Sequence, residues 1–215
     1  MSNASREAAR IEKLWSGDFG TEYLSRNPVT TEGRLPFWER LLSSYPVASV
    51  LEVGCNLGAN LRPIHLVSPR ARVTGIDINA VALATLRRQL PTVALARAAG
   101  RTLPFRDGAH DLVFTAGVLI HQPPEVLHDV MREVVRCSAR YVLCAEYFAP
   151  DWTEVPYRGQ ERALFKGDFG GEYGRLCPEL RLLESGFLSR AEGWGDVTWW
   201  MFDRSAPTTP PLHAR

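Results

Sequence analysis

The sequence predicts an α/β fold: a doubly wound, seven-stranded, mostly parallel sheet whose last strand runs antiparallel, preceded by an N-terminal helical lid. Three observations predict it. Apolar runs alternate with amphipathic stretches from residue 48 to residue 148, the grammar of right-handed crossovers. The first run, "ASVLEVG", ends in a glycine turn. The alternation then closes on two strands joined by the short link "AEGWG", which reads as a hairpin.

The elements follow in order. Residues 5–16 read as a helix with Ala8, Ile11 and Trp15 as its apolar positions. Residues 31–45 read as a second helix, whose first turn holds Pro36 or whose start Pro36 offsets. "ASVLEVG" is the first strand, and "GANLRPIHLVS" a helix that Pro63 delays or kinks. "RVTGIDI" is the second strand, followed by the helix "NAVALATLRRQL" with Asn79 as its cap. "TVALARAA" and "HDLVFTAGV" are the third and fourth strands. A helix runs from about Pro124 to Arg136, and "RYVLCAEYF" is the fifth strand. Loop and helix then lead to the hairpin of "LRLLESGFLSR" and "DVTWWMFDR". The expected division is a helical cap over 1–46, the main domain over 47–204 and a flexible Pro-rich tail over 205–215.

Bulk composition narrows the function. Twenty-five basic and 24 acidic residues leave a net charge of +1, which gives no electrostatic case for nucleic acid or an anionic membrane. No run reaches the length of a membrane span, and "MSNASREAARIEKLW" has no apolar signal core. Cys55, Cys137, Cys144 and Cys177 form no C-x-x-C pair, disulfide framework or zinc pattern. Reduced thiols in the cytoplasm, and no metal, are the expectation.

Ligands of such sheets lie beyond the C-terminal strand ends. There the first strand runs into "LEVGCNLGAN". Gly54 allows a sharp turn, Asn56 tolerates a positive φ, and Gly58 is expected to let the next helix approach the strand. Glu52 stands two residues before Gly54, which disfavours a pyrophosphate and suits a ligand ammonium. Asp77, at the end of the second strand, can accept both hydroxyls of a ribose.

With these motifs the sequence resembles the class I S-adenosylmethionine-dependent methyltransferases. "VLEVGCNLGAN", "GIDIN", "LPFRDGAHDLVFTAGVLIH" and "RYVLCAEYF" fall in that superfamily's order and spacing. It is more narrowly similar to the pseudaminic acid biosynthesis-associated methylases, through "WSGDFGTEYLSRN", "GVLIH", "AEYF", "EVPYRG", "LFKGDFGGEY" and "DVTWW". The resemblance implies S-adenosylmethionine as cofactor, held around Glu52, Gly54, Cys55, Asn56, Gly58, Asp77, Ile78, Gly117 and Val118. Where that superfamily often has an acid for the adenine amino group, this chain has Ala99, so backbone near Ala99 and Gly100 must serve. The implied acceptor is a small molecule, sugar-like or amino-acid-derived, methylated on oxygen or nitrogen by a monomer or homodimer.

His121, in "GVLIHQPP" after the fourth strand, is the expected general base, since imidazole titrates near neutrality. Related methyltransferases place a catalytic histidine there. Glu146 and Tyr147 end the fifth strand at the same edge and join it as catalytic candidates. Tyr157 and Arg158, in the following loop, are expected to meet the acceptor, Arg158 suiting a carboxylate or phosphate.

The stretch "GDFGTEY" at Gly17 returns as "GDFGGEY" at Gly167. Both are expected to form lids that meet across the site, with Asp18 and Asp168 capping short helices. Phe19, Tyr23 and Arg26 would close over cofactor, Arg26 on its methionine carboxylate, and Phe169 and Tyr173 over acceptor. Two rivals remain. A nicotinamide-dependent oxidoreductase fits Asp77 but not the glycine spacing or the terminal hairpin. A catalytically silent methyltransferase-like binding module fits Ala99, while His121, Glu146 and Tyr147 argue against it.

Overall fold

The structure is a computed structural model and describes residues 2–27 and 31–204. The tail 205–215 lies outside the described residues. The strands are β1 (Ser49–Val53), β2 (Arg72–Asp77), β3 (Ala94–Arg97), β4 (His110–Ala116), β5 (Ser138–Glu146), β6 (Thr153–Glu154), β7 (Phe165–Lys166), β8 (Arg181–Leu188) and β9 (Val197–Asp203). The helices are α1 (Asn3–Ser16), α2 (Asp18–Arg26), α3 (Leu35–Ser44), α4 (Leu61–Val67), α5 (Ala80–Gln89), α6 (Pro124–Cys137) and α7 (Phe169–Leu176).

Seven strands form one sheet in the order β3-β2-β1-β4-β5-β9-β8. β1 to β5 pair in parallel, and β9 runs antiparallel between β5 and β8. The expected fold class holds, down to the antiparallel last strand. On one face Leu51, Val113 and Val142 pack with α6 and α7 through Val134 and Tyr173. On the other Val50, Leu112 and Leu143 pack with α3, α4 and α5 through Trp38, Leu61 and Leu86. Each face thus buries a continuous apolar layer, the main favourable term in folding. Among the described residues no helix is long and apolar enough to cross a membrane.

Local chemistry sets several boundaries. Asn79 accepts hydrogen bonds from the Val81 and Ala82 N–H groups at 3.0 Å and starts α5 as expected. Pro36 sits in the first turn of α3. α4 begins only at Leu61, which moves Pro63 into its first turn, where a missing N–H costs nothing. Two elements depart from the expectation. The segment after β5 contains the small antiparallel ribbon β6-β7, whose strands are too short to show a period. Asp18 does not cap α2: Gly17 is its N-cap and makes no side-chain bond. Asp168 does cap α7, accepting from the Gly171 N–H at 2.9 Å.

Candidate active site

The chain leaves β1 for α4 on one face and leaves β4 for α6 on the other, so a crevice opens between these neighbours at their C-terminal ends. The turn after β1 is built from positive φ angles: 78° at Gly54, 46° at Asn56 and 77° at Gly58. Gly54 and Cys55 both donate to the Ile76 carbonyl at 2.8 Å, pinning the turn to β2. A side chain at Gly54 would overlap Val118, so the turn and the loop after β4 close on each other. Gly58 has a different neighbour from the one expected. A Cβ there would stand 2.6 Å from Leu86 of α5, and the glycine lines no part of the crevice.

Asp77 lines the crevice with both carboxylate oxygens oriented by backbone. Oδ2 accepts from the Asn56 N–H and Oδ1 from the Asn79 N–H, each at 2.8 Å. Burial pushes its pKa up, and those N–H groups pull it back. An ionised carboxylate has about four acceptor sites, so each oxygen keeps capacity for a ligand hydroxyl.

Two chambers meet here. The first holds about 960 Å³ of empty space including its open mouth. Val53, Ile76, Val126 and Val130 make it apolar, and Ile78, Ala99, Gly100, Gly117 and Val118 also border it. The second holds about 1380 Å³ on the same basis and is bordered by Tyr147, Tyr157, Arg158, Arg26 and Arg34. Tyr23, Asn56, Ala116, Gly117 and His121 line both, so they mark the junction.

His121 is held on the single helical turn Leu119–His121. Its Nδ1 lies 2.6 Å from the Ala163 carbonyl, which can only accept, so Nδ1 carries the proton. Nε2 is therefore the free lone pair. Trp15 and Tyr157 flank the ring at centroid distances of 4.4 and 5.4 Å. Burial pushes its pKa down to about 4, against the opposing pull of the Ala163 carbonyl.

Other expected site residues stand elsewhere. Glu146 is buried and lines neither chamber; its carboxylate accepts from the Val118 and Ile120 N–H groups at 3.3 Å and braces the turn carrying His121 from below. Burial pushes its pKa up to about 7. Glu52 is 2% exposed and points to the α3-α4 side, where Asn60 Nδ2 donates to it at 2.6 Å. Burial pushes it up to about 8. Cys55 is buried against α4 and β2 with its thiol off the crevice. Alternation along β1 explains Glu52, since Val53, one residue on, faces the cavity. Cys55 lies past the strand, after the positive-φ turn at Gly54, which breaks the alternation and turns it to the other face.

The two repeats do not meet. α2 crosses the strand ends, with Tyr23 at the junction. Phe19 lines neither chamber; it sits behind, against Trp15 and Tyr157 with Arg26 over its ring. Arg26 lies in the second chamber, not the first, and its Nη groups donate to Glu22 and the Phe19 carbonyl. Phe169 and Tyr173 are 0% exposed in the core. They pack on Trp152 and Phe202, which removes them from any acceptor contact.

Three contributors were not singled out for the site from sequence. Trp15 lines the first chamber, and its position one residue before "SGDFG" was the available signal. Asn79 donates to the Trp15 carbonyl and to Thr21 Oγ1, tying the lid to the residue two after Asp77. Arg34 donates to Asn60 Oδ1 at 2.8 Å and to the Gly193 carbonyl at 3.0 Å, and no local pattern marked it.

Residues 50–140 match a family of methyltransferase domains. No curated protein matches the chain. Among solved structures, 1,6-didemethyltoxoflavin-N1-methyltransferase of Burkholderia thailandensis, with bound 1,6-didemethyltoxoflavin and S-adenosylhomocysteine, matches at TM-score 0.71 and 16% identity over 96% of this chain and 92% of that one. Magnesium protoporphyrin IX methyltransferase of Synechocystis PCC 6803, with bound S-adenosylmethionine, matches at TM-score 0.66 and 16% identity over 93% of this chain and 97% of that one. At these identities the likeness establishes the fold alone, a Rossmann-like methyltransferase fold.

Proposed function

We propose that the protein moves a methyl group from S-adenosylmethionine to an oxygen or nitrogen of a small molecule. One observation carries this reading: two chambers open at the C-terminal strand ends and join beside a histidine whose Nε2 lone pair is free. The residues present fit the cofactor. Asp77 suits the ribose hydroxyls, and the apolar slot beside Val126 and Val130 suits a flat base. With Ala99 in place of an acid, backbone at Ala99 and Gly100 faces that base. Asn56 Oδ1 and Trp15 Nε1 are buried without partners in the same chamber, where a ligand donor and acceptor would satisfy them. Arg34, beside the loop after β1, suits the cofactor's carboxylate.

Bound S-adenosylmethionine supplies a methyl carbon already activated by its sulfonium sulfur. The protein's task is then to align, to exclude water and to take a proton. Trp15, Tyr23 and α2 cover the junction. His121 is neutral near pH 7 and presents Nε2 to the acceptor; its lowered basicity means that it takes the proton only as the attacking atom gives up its electron pair. Glu146 and Ala163 position it.

The narrower similarity to pseudaminic acid biosynthesis-associated methylases supports a sugar-like or amino-acid-derived acceptor. We extend the proposal to a cytoplasmic monomer or homodimer without a nucleic-acid partner, organised as a cap over 1–46 and a catalytic domain over 47–204. Calorimetric titration with S-adenosylhomocysteine tests the cofactor. Binding should occur, and Asp77→Ala should weaken it at least tenfold, since buried hydroxyls lose their acceptors. Absence of binding, with stabilisation by a nicotinamide dinucleotide instead, would overturn the reading.

A further inference from the structure

We infer that the second chamber takes an acceptor bearing an oxyanion, a carboxylate or a phosphate, and that Arg158, with Arg26 beside it, is the group that meets it. This deepens the methyltransferase reading and rests on it for the second chamber being the acceptor side. Three arginines line that chamber, and among the described residues no Asp or Glu does. Arg34 and Arg158 are in no ion pair among the described residues. Arg26 pairs with Glu22 through Nη1 at 2.8 Å, yet its Nε is buried with no partner. Arg26 and Arg34 are partly buried and feel Glu22 and Glu52, whereas Arg158 is exposed at the chamber's edge with no acidic partner in an ion pair among the described residues, so a bound oxyanion would supply its counter-charge. The planar fork fits carboxylate and phosphate oxygens two at a time.

The cofactor's single carboxylate does not account for all three. Arg34 is held at one end, on Asn60 and the Gly193 carbonyl, with its guanidinium 4.4 Å from the Trp194 ring centroid. Arg158 and Arg26 both act electrostatically on the Tyr157 phenol at the other end. Arg158 adopts φ 50° in a turn closed by the Tyr157–Gln160 bridge. Non-glycine residues hold that conformation only where the surroundings fix it. The phenols of Tyr147 and Tyr157 border the same space and add neutral donors.

The test uses the full chain saturated with S-adenosylhomocysteine. Glucuronate, its neutral methyl ester, glucose 6-phosphate, glucose and inorganic phosphate are titrated separately by calorimetry. Glucuronate or glucose 6-phosphate should bind at least tenfold more tightly than its neutral counterpart. Preference for the first marks a carboxylate, for the second a phosphate, and inorganic phosphate should compete. Arg158→Gln should erase the preference, while Arg158→Lys keeps part of it. Equal binding of charged and neutral probes, no binding of any, or an Arg158→Gln protein that retains the preference would overturn the inference. Failure of S-adenosylhomocysteine to bind would instead overturn the cofactor reading, and the anion titrations would still be read on the free protein.

Discussion

The stretches at residues 17–23 and 167–173 share six of seven residues and end in opposite surroundings. The first forms α2 over the strand ends, with its tyrosine at the junction of two chambers. The second forms α7, with its phenylalanine and tyrosine fully buried. The one position that differs, Thr21 against Gly171, accounts for the local part. In α7 the Asp168 carboxylate folds back onto the Gly171 N–H, and a side chain at Gly171 would overlap it. In α2 the aspartate is exposed, so a threonine fits, and its hydroxyl donates to the Gly17 carbonyl at 3.1 Å and accepts from Asn79 at 3.2 Å. One copy is thereby tied to the residues around Asp77, and the other is a capped core helix. The lesson is that a matching heptapeptide specifies a helix start and leaves its destination open.

Substitutions at matched positions should separate the copies most. Phe169→Ala should destabilise the fold by about 3–5 kcal/mol, the range for emptying a buried aromatic site. Denaturant unfolding should show it, with little change in S-adenosylhomocysteine affinity once the protein is folded. Phe19→Ala should do the reverse, costing less in stability at a partly buried site, about 1 kcal/mol, while loosening cofactor binding several-fold. Equal stability losses would erase the distinction.

The first copy also bears on turnover, because Tyr23 lines the junction with His121 and packs on Trp15, which flanks the His121 ring. His121→Ala should lower the methylation rate by roughly 10², the effect of a lost general base, and leave cofactor affinity nearly unchanged. Rates within about threefold of wild type would move the base elsewhere, with Tyr23 at the junction and Tyr147 in the second chamber next.

Exchanging the differing residue sharpens the comparison further. Gly171→Thr should displace the Asp168 cap and cost about 1 kcal/mol or more in stability. Thr21→Gly should leave stability within about 1 kcal/mol and weaken S-adenosylhomocysteine two- to fivefold, by freeing α2 from Asn79.

The smallest effect is in pH. Burial raises Glu146 to about 7 and Glu52 to about 8, and lowers His121 to about 4. A raised carboxyl contributes stability that is full below its ordinary value near 4.5 and lost as pH rises through the folded value. A lowered histidine contributes stability present above about 6.5 and lost as pH falls through about 4. Between about pH 4.5 and 6.5 the two effects oppose each other, and above that only the carboxyl loss remains, so melting temperature should fall from about pH 6.5 toward pH 9. Glu52→Gln, which keeps a neutral acceptor for Asn60, should flatten the alkaline limb. An unchanged limb would show that Glu52 does not titrate there.

The sequence by itself determined the sheet, its antiparallel closing strand, the caps at Asn79 and Asp168, and the crevice residues Gly54, Asn56, Asp77 and His121. These follow from signals within a few residues: the period of apolar positions, a turn needing positive φ, and a polar residue at a strand end. Tertiary structure alone decided that Glu52 and Cys55 turn away from the crevice while Val53 faces it. It also decided that Glu146 lies beneath the histidine turn, that Gly58 yields to Leu86, and that Arg34 joins Arg26 and Arg158 in one chamber. Each of these depends on which distant segment packs alongside: Asn60 and Trp38 for Glu52, Trp200 and Phe202 for α7, Gly193 for Arg34. Local periodicity fixes which side of its own element a residue faces, and only long-range packing fixes what that side meets.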